Sequence, residues 1–479
     1  MRLALLGALL IACGGPSSSG APDAQPDADT RDLLVRLRAL PGVTADELVP
    51  NRAPAGYRYF ALTIDQPVDH DAPGGAHFTQ HLTLIANDQA LDAPLVLFST
   101  GYWNYQGDYP SELALLLHGN QLVMEHRFFG DSRPSPADWT KLTIQQAAAD
   151  QHAVVTTFAP IFGGKWITTG ASKGGMTSIY HRRFYPDDVA GTVAYVAPIS
   201  FGAPDNAYDT WVNDTIGTQP CRDQLKALAA ELLKNRRTEL IQRATTEMNQ
   251  NPSSVQYTRV AIGPAVEGAV TSLYWSFWQY YGKDYCAYLP QTTDSTDALW
   301  ALLEGTPNGG GIWGYGVSPV YSSDDANLAR FEAYDYQAAW QLGYPGTIDT
   351  YLTGLKMYTD ADYSGANPVG VSVPAYDGGA AMNDVAAWVK ASSSHMIWVY
   401  GGWDPWTGGK FDPGGAQDAL EAIVPEQTHG AQLHELGAAD RDAAYAKLAA
   451  WTGVTPDPTA VASLRHLAPR ERVPPLRHP

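Results

Sequence analysis

Gly170-Ala171-Ser172-Lys173-Gly174-Gly175 follows the apolar run Trp166-Ile167-Thr168-Thr169 and precedes a helix-like segment, Met176 to Phe184. A G-x-S-x-G pattern between a strand and a helix is a nucleophile elbow. The tight turn lifts the serine hydroxyl above a sheet. The glycines let strand and helix approach closely. The helix N-terminus then sits behind the serine, where its dipole and free N–H groups favour negative charge. Attack of a hydroxyl on a carbonyl creates such charge. A glycine-rich turn with an incidental serine shares the letters but not both flanks, so Ser172 is the candidate nucleophile.

The surrounding pattern fits a sheet beneath that turn. Residues 57–66 and 77–86 alternate apolar and polar and read as two strands of a hairpin. Leu95 to Ser99 and Gln121 to Glu125 are short apolar runs, as expected of strands buried in a parallel sheet. Leu142 to Phe158 reads as a helix and Gly191 to Ala197 as the strand after the elbow. Alternating strands and helices imply an α/β layer fold. From about Asp205 to Asp377 the alternation is lost. Helix-like stretches appear at 224–247 and 266–281, aromatics crowd at 274–281, and a Gly/Asn loop runs over Pro307 to Gly311. This reads as a mainly helical cap inserted over the sheet. The alternation resumes with a strand at Met396 to Tyr400, a helix near Ala416 to Ile423 and a helix from Arg441 to Trp451.

A serine hydroxyl is a weak nucleophile and needs a base in hydrogen-bond reach, and the base needs a group to fix its tautomer. In α/β-hydrolases the order along the chain is Ser, Asp, His, with the acid just after a late strand. Asp404, in Gly401-Gly402-Trp403-Asp404-Pro405-Trp406, sits there. His429 follows 25 residues later, with His434 as reserve. The oxyanion hole is expected from the backbone N–H of Lys173 and, on the loop after Leu95–Ser99, that of Tyr102.

The whole chain bounds the rest. Its 479 residues carry a net charge of −19, which argues against nucleic-acid binding and against docking on anionic lipid. Arg2, the apolar run Leu3 to Ala12 and Leu10-Ile11-Ala12-Cys13 resemble a bacterial lipoprotein signal, too short to span a bilayer. Cleavage before Cys13 and its lipidation are expected, with export to the cell envelope. Residues 14–30, rich in Ser, Gly, Pro, Ala and Asp, read as a flexible tether. The two remaining cysteines, Cys221 and Cys286, are expected to form a disulfide in an oxidising compartment, two buried free thiols being the alternative. Three cysteines without matched spacing make no metal site.

Thr169 to Thr177, Arg183-Phe184-Tyr185-Pro186-Asp187-Asp188-Val189 and Val193 to Pro198 resemble the secreted tripeptidyl aminopeptidases of actinobacteria. These serine peptidases are distantly related to lysosomal Pro-X carboxypeptidase and dipeptidyl peptidase II. Gln66 to His70, Gly119 to Phe129, Ser132 to Trp139, Asp404-Pro405-Trp406, His429 to Leu433, Cys221-Arg222-Asp223 and Cys286 extend the likeness to roughly residues 32–455. The resemblance implies Ser172, Asp404 and His429 as nucleophile, orienting acid and base, and a helical cap. It also implies no metal or other cofactor, and release of short peptides, tripeptides above all, from free N-termini. The chain departs from the family at Gly402-Trp403, where acidic and amide residues are usual.

An aminopeptidase must bind a substrate ammonium, for which a carboxylate is the natural partner. Glu125, Glu267 and Glu304 are candidates, each with a competing structural role. Glu125-His126-Arg127 reads as a buried ion-pair network rather than a second active site. The cap aromatics read as core, or as a proline-accepting pocket. The sequence thus predicts a signal at 1–12, a tether at 13–30, an α/β-hydrolase body at 31–204 and 378–455, a cap at 205–377 and a Pro/Arg-rich tail at 456–479. An esterase with the same triad, and a non-catalytic surface-anchored binding protein, are the competing functions.

Overall fold

Alternating burial marks the antiparallel edge strands and continuous burial the central ones, and all join one sheet. In the computed structural model, which describes residues 32–304, 318–346 and 348–462, nine strands stand in the order β1-β2-β3-β5-β4-β6-β7-β8-β9. They are β1 (Val43–Glu47), β2 (Arg58–Pro67), β3 (His77–Ala86), β4 (Leu95–Ser99), β5 (Asn120–Met124), β6 (Trp166–Ala171), β7 (Gly191–Tyr195), β8 (Met396–Gly401) and β9 (Leu420–Val424). The pairs β1–β2, β2–β3 and β3–β5 are antiparallel, and from β5 onward every pair is parallel. The hairpin of β2 and β3 runs in the register Arg58↔Ala86 to Pro67↔His77.

Strand β8 shows how the layers form. Ile397 and Val399 point to one face, where they join a core cluster with Leu113 and Leu117 and with Leu448 and Trp451. Met396, Trp398 and Tyr400 point to the other, against Ile179 and Tyr180 and against Met382, Val385 and Val389. The helices packed on the two faces are α1 (Leu33–Arg38), α2 (Glu112–Leu116), α3 (Ile144–Phe158), α4 (Lys173–Phe184), α10 (Ala380–Ser392) and α11 (Ala438–Thr452). α2 and α11 cover the first face. α4 and α10 cover the second, with α3 and α1 further along it. Alternation along a strand buried on both faces requires such a three-layer sandwich.

The helix expected near Ala416–Ile423 is instead the strand β9. Ala419-Leu420-Glu421-Ala422 has good helix formers, but Pro413-Gly414-Gly415 breaks the approach, and pairing with β8 from Ile397↔Leu420 to Gly401↔Val424 overrides propensity. β1 and α1 were not anticipated: β1 extends the antiparallel edge by pairing with β2, and α1 packs on the sheet beside it.

Between β7 and β8 the described residues form no strand. They form α5 (Gln219–Glu231), α6 (Arg237–Gln250), α7 (Ile262–Tyr280), α8 (Thr296–Glu304) and α9 (Asp325–Gln337). α5 and α6 are joined through a wider turn at Leu232–Arg236. The helices share an apolar core that includes Leu225, Val270, Tyr274, Phe277, Trp278 and Phe331, and that core is continuous with Tyr102, Phe128 and Phe129 from the sheet loops. Most of the aromatics of 274–281 are thus core. Cys221 and Cys286 are bonded, with Cα atoms 5.6 Å apart, tying α5 to the short helical turn Gly282–Tyr288. The signal, tether, Cys13, the loop Pro307–Gly311 and the tail beyond residue 462 lie outside the described residues.

Candidate active site

Four loops leave the C-terminal ends of β4, β6, β8 and β9 on one edge of the sheet. In open α/β sheets this is the edge at which ligands bind. The loop after β6 is the elbow itself. Ser172 has φ 58° and ψ −127°, a strained conformation for a residue with a side chain. Its N–H donates to Tyr195 O at 2.9 Å, and its carbonyl accepts from Met176 N–H at 2.9 Å. The turn is thus bolted to β7 and to the first turn of α4. Its hydroxyl is buried, with no hydrogen-bond partner among the described residues.

Asp404, after β8, divides its carboxylate. Oδ1 accepts from Trp406 N–H at 3.1 Å and caps the short helix Pro405–Gly409. Oδ2 lies 2.6 Å from His429 Nδ1, and both side chains are fully buried. Burial pushes the Asp404 carboxyl above the usual carboxylate range, while the His429 imidazole and the Trp406 N–H pull it back. A carboxylate accepts at Nδ1, so Nδ1 carries the proton and Nε2 is left as the acceptor. Nε2 is buried and, like the Ser172 hydroxyl, has no hydrogen-bond partner among the described residues. The base loop closes tightly on β8, since a Cβ at Gly401 would overlap the Thr428 carbonyl. His429 N–H donates to Gln279 O at 3.0 Å, so the end of α7 grips the same loop. That contact links residues 150 apart and left no mark in the sequence.

His434 faces elsewhere. Its Nδ1 lies 2.6 Å from Glu112 Oε1, and Glu112 also accepts from the N–H groups of Leu433 and His434 and from Tyr195 O–H. The reserve base is thereby a structural anchor.

The loop after β4 lies directly on the elbow. Gly101 has φ +73°, and a Cβ there would stand 2.6 Å from the Lys173 carbonyl carbon. Only glycine allows that approach. The next N–H, that of Tyr102, makes one long bond, 3.3 Å to Thr100 Oγ1. The N–H of Lys173 belongs to the first turn of α4, where backbone donors have no intrahelical acceptor.

The three acidic candidates have other work. Glu267 accepts from Arg237 and from the N–H groups of Met357 and Tyr358. Glu304 accepts from Ser318 and Val320, and burial pushes its carboxyl up to about 7. Glu125 accepts from Ser132 and from Asn104 N–H. The expected network of Glu125, His126 and Arg127 is corrected in its wiring. All three are buried, but Arg127 pairs with Asp150 at 2.6 and 2.7 Å, and His126 meets Lys173. Neighbours along an extended segment point to different sides, so they find different partners. Among the described residues no group of His, Cys, Asp or Glu is placed to hold a metal ion.

Comparison with known proteins bears on this geometry. The profile of the PS-10 peptidase S37 family matches residues 24–468. The prolyl tri/tetrapeptidyl aminopeptidase of Streptomyces mobaraensis is 38% identical over 460 residues, covering 95% of this chain and 92% of that one. Lysosomal Pro-X carboxypeptidase of Bos taurus is 29% identical over 164 residues, 30% of this chain and 32% of that protein. Among solved structures, proline iminopeptidase of Mycobacterium smegmatis aligns over 77% of this chain and 91% of its own, at 12% identity and a TM-score of 0.33. With a family match over nearly the whole length and a relative alike from end to end, the chain belongs to the PS-10 peptidase S37 family.

Proposed function

We propose that the protein is a serine peptidase that releases tri- or tetrapeptides from free N-termini, with Ser172, His429 and Asp404 as its triad. The observation that carries the reading is the buried His429–Asp404 pair, whose outer nitrogen has no hydrogen-bond partner among the described residues, on the same sheet edge as the strained Ser172 turn. The Ser172 hydroxyl attacks the scissile carbonyl and gives its proton to His429 Nε2. Asp404 holds the tautomer and steadies the imidazolium. The N–H groups of Lys173 and Tyr102 receive the oxyanion. Nε2 then protonates the leaving amine, and water hydrolyses the acyl-enzyme by the same route. The length of peptide released follows the name of the Streptomyces relative.

Trp406 lies 6.2 Å from the His429 ring and 5.0 Å from Trp275, and Trp403 lies 5.7 Å from Trp278. These indoles form a packed aromatic wall beside the base, the nearest apolar surface to which a proline ring could be offered. In this reading residues 31–204 and 378–455 are the working body, 205–377 the cap over its mouth, and Cys13 a lipidated anchor to the cell envelope.

A rate panel on protein lacking residues 1–30 tests the activity, with Ser172→Ala as control. Free-N-terminus tripeptide anilides should turn over, and N-blocked anilides and short nitrophenyl esters far less. Ser172→Ala should lose at least about 10³-fold in kcat. Turnover of esters alone would move the function to an esterase.

A further inference from the structure

Lys173 has a second role open to it besides its backbone N–H. Its side chain is fully buried behind the elbow, with Nζ 5.9 Å from the Tyr102 ring centre, 5.2 Å from that of Phe129 and 3.0 Å from His126 Nε2. His126 Nδ1 lies 2.8 Å from the Arg127 carbonyl, which only accepts, so Nδ1 carries the proton and Nε2 receives a bond from the lysine. The N–H of the same His126 donates to the Tyr102 carbonyl at 2.9 Å, which Thr100 Oγ1 also reaches at 2.7 Å. A path of contacts therefore runs from Lys173 through its amine, the His126 ring and the His126 N–H to the Tyr102 carbonyl. It joins the two residues whose N–H groups are the proposed oxyanion donors, gripping Tyr102 on the carbonyl side of its Cα.

We infer that Lys173 and His126 are a buried positioning pair that sets the distance between the Lys173 and Tyr102 N–H groups. The inference rests on the reading of Ser172 as nucleophile given above. The physical need is plain. Gly101 has no side chain and a left-handed φ, so it gives the Tyr102 peptide no stiffness of its own. Donors to an oxyanion act by being fixed before charge develops. Burial pushes both side chains well below their ordinary ranges, with the Lys173 field and then that of Arg127 adding to the effect on His126. The amine donates to the ring nitrogen that carries no proton, so the buried contact is satisfied on both sides.

The test uses Lys173→Met, which keeps the stem and removes the donor, with His126→Gln and His126→Phe. Lys173→Met should lower kcat about 10²-fold with KM for a tripeptide anilide nearly unchanged, as for a weakened oxyanion donor. A peptide aldehyde should lose affinity by the same factor as kcat/KM. His126→Gln, which still offers an acceptor, should retain most of the rate, and His126→Phe should match Lys173→Met. The double variant should be no worse than either single one. Unchanged kcat in Lys173→Met, or a loss carried wholly by KM, overturns the inference. Should Lys173→Met not fold, equal rates for His126→Gln and His126→Phe overturn it. Turnover surviving in Ser172→Ala would instead retire the nucleophile assignment and leave this pair without a reaction to serve.

Discussion

Asp404 does two jobs with one side chain, and each oxygen has its own. Oδ1 starts a helical turn and Oδ2 holds the imidazole. Asp404→Asn keeps the cap but offers Nδ1 an amide that can be seated to donate as well as accept. It is expected to lower kcat by about 10³–10⁴ while the folded state persists, by loss of the productive tautomer. Single-turnover rates beside a melting curve check both halves. The Asp404–His429 pair was legible because Asp404 follows a late strand and because an α/β-hydrolase chain, by its fold, presents acid and then base after the serine. Ser172 was legible from its glycines together with the apolar run before them and the helical segment after them. The lysine beside it was read only as a backbone donor. Its side-chain partner, His126, lies 47 residues earlier, and nothing in the local pattern links the two.

At the scale of elements, strong periodicity was read correctly and short edge pieces were not. The β2–β3 hairpin and the helix α3 declare themselves over ten residues or more. β9 has five residues, helix-favouring letters and one partner, so only its place beside β8 makes it a strand. The bond between Cys221 and Cys286 closes a loop over a sequence separation of 65 residues and ties α5 to the turn that rests, at Gly282, on Thr428. Paired Cys221→Ser and Cys286→Ser replacements should lower stability by about 3–4 kcal/mol, from the added freedom of the unfolded chain. Activity should be lost at a lower temperature than in the parent. Denaturant unfolding of both proteins under oxidising conditions gives the difference, and equal midpoints would show that the bond contributes nothing.

For the whole molecule, the acidic surface and the N-terminal signal both concern where the enzyme works. With a net charge of −19, the chain gains no electrostatic hold on an anionic membrane, so under the proposed anchoring any retention there would depend on lipid at Cys13. Cys13→Ser should move the protein from the membrane fraction to the soluble fraction of the envelope without altering kcat. Membrane retention in that variant would refute the anchor. The fold's cap was legible only as a lapse in strand–helix alternation, because its packing is aromatic and all-round. The nucleophile comes from β6 and its two helpers from the ends of β8 and β9, with the whole insertion between them. A chain still being made or threaded through a membrane therefore holds a serine with no base. β8 must dock on β7, and β9 on β8, before the serine can meet its base, so the order of elements along the chain delays assembly of the proposed site until the last strand has been made.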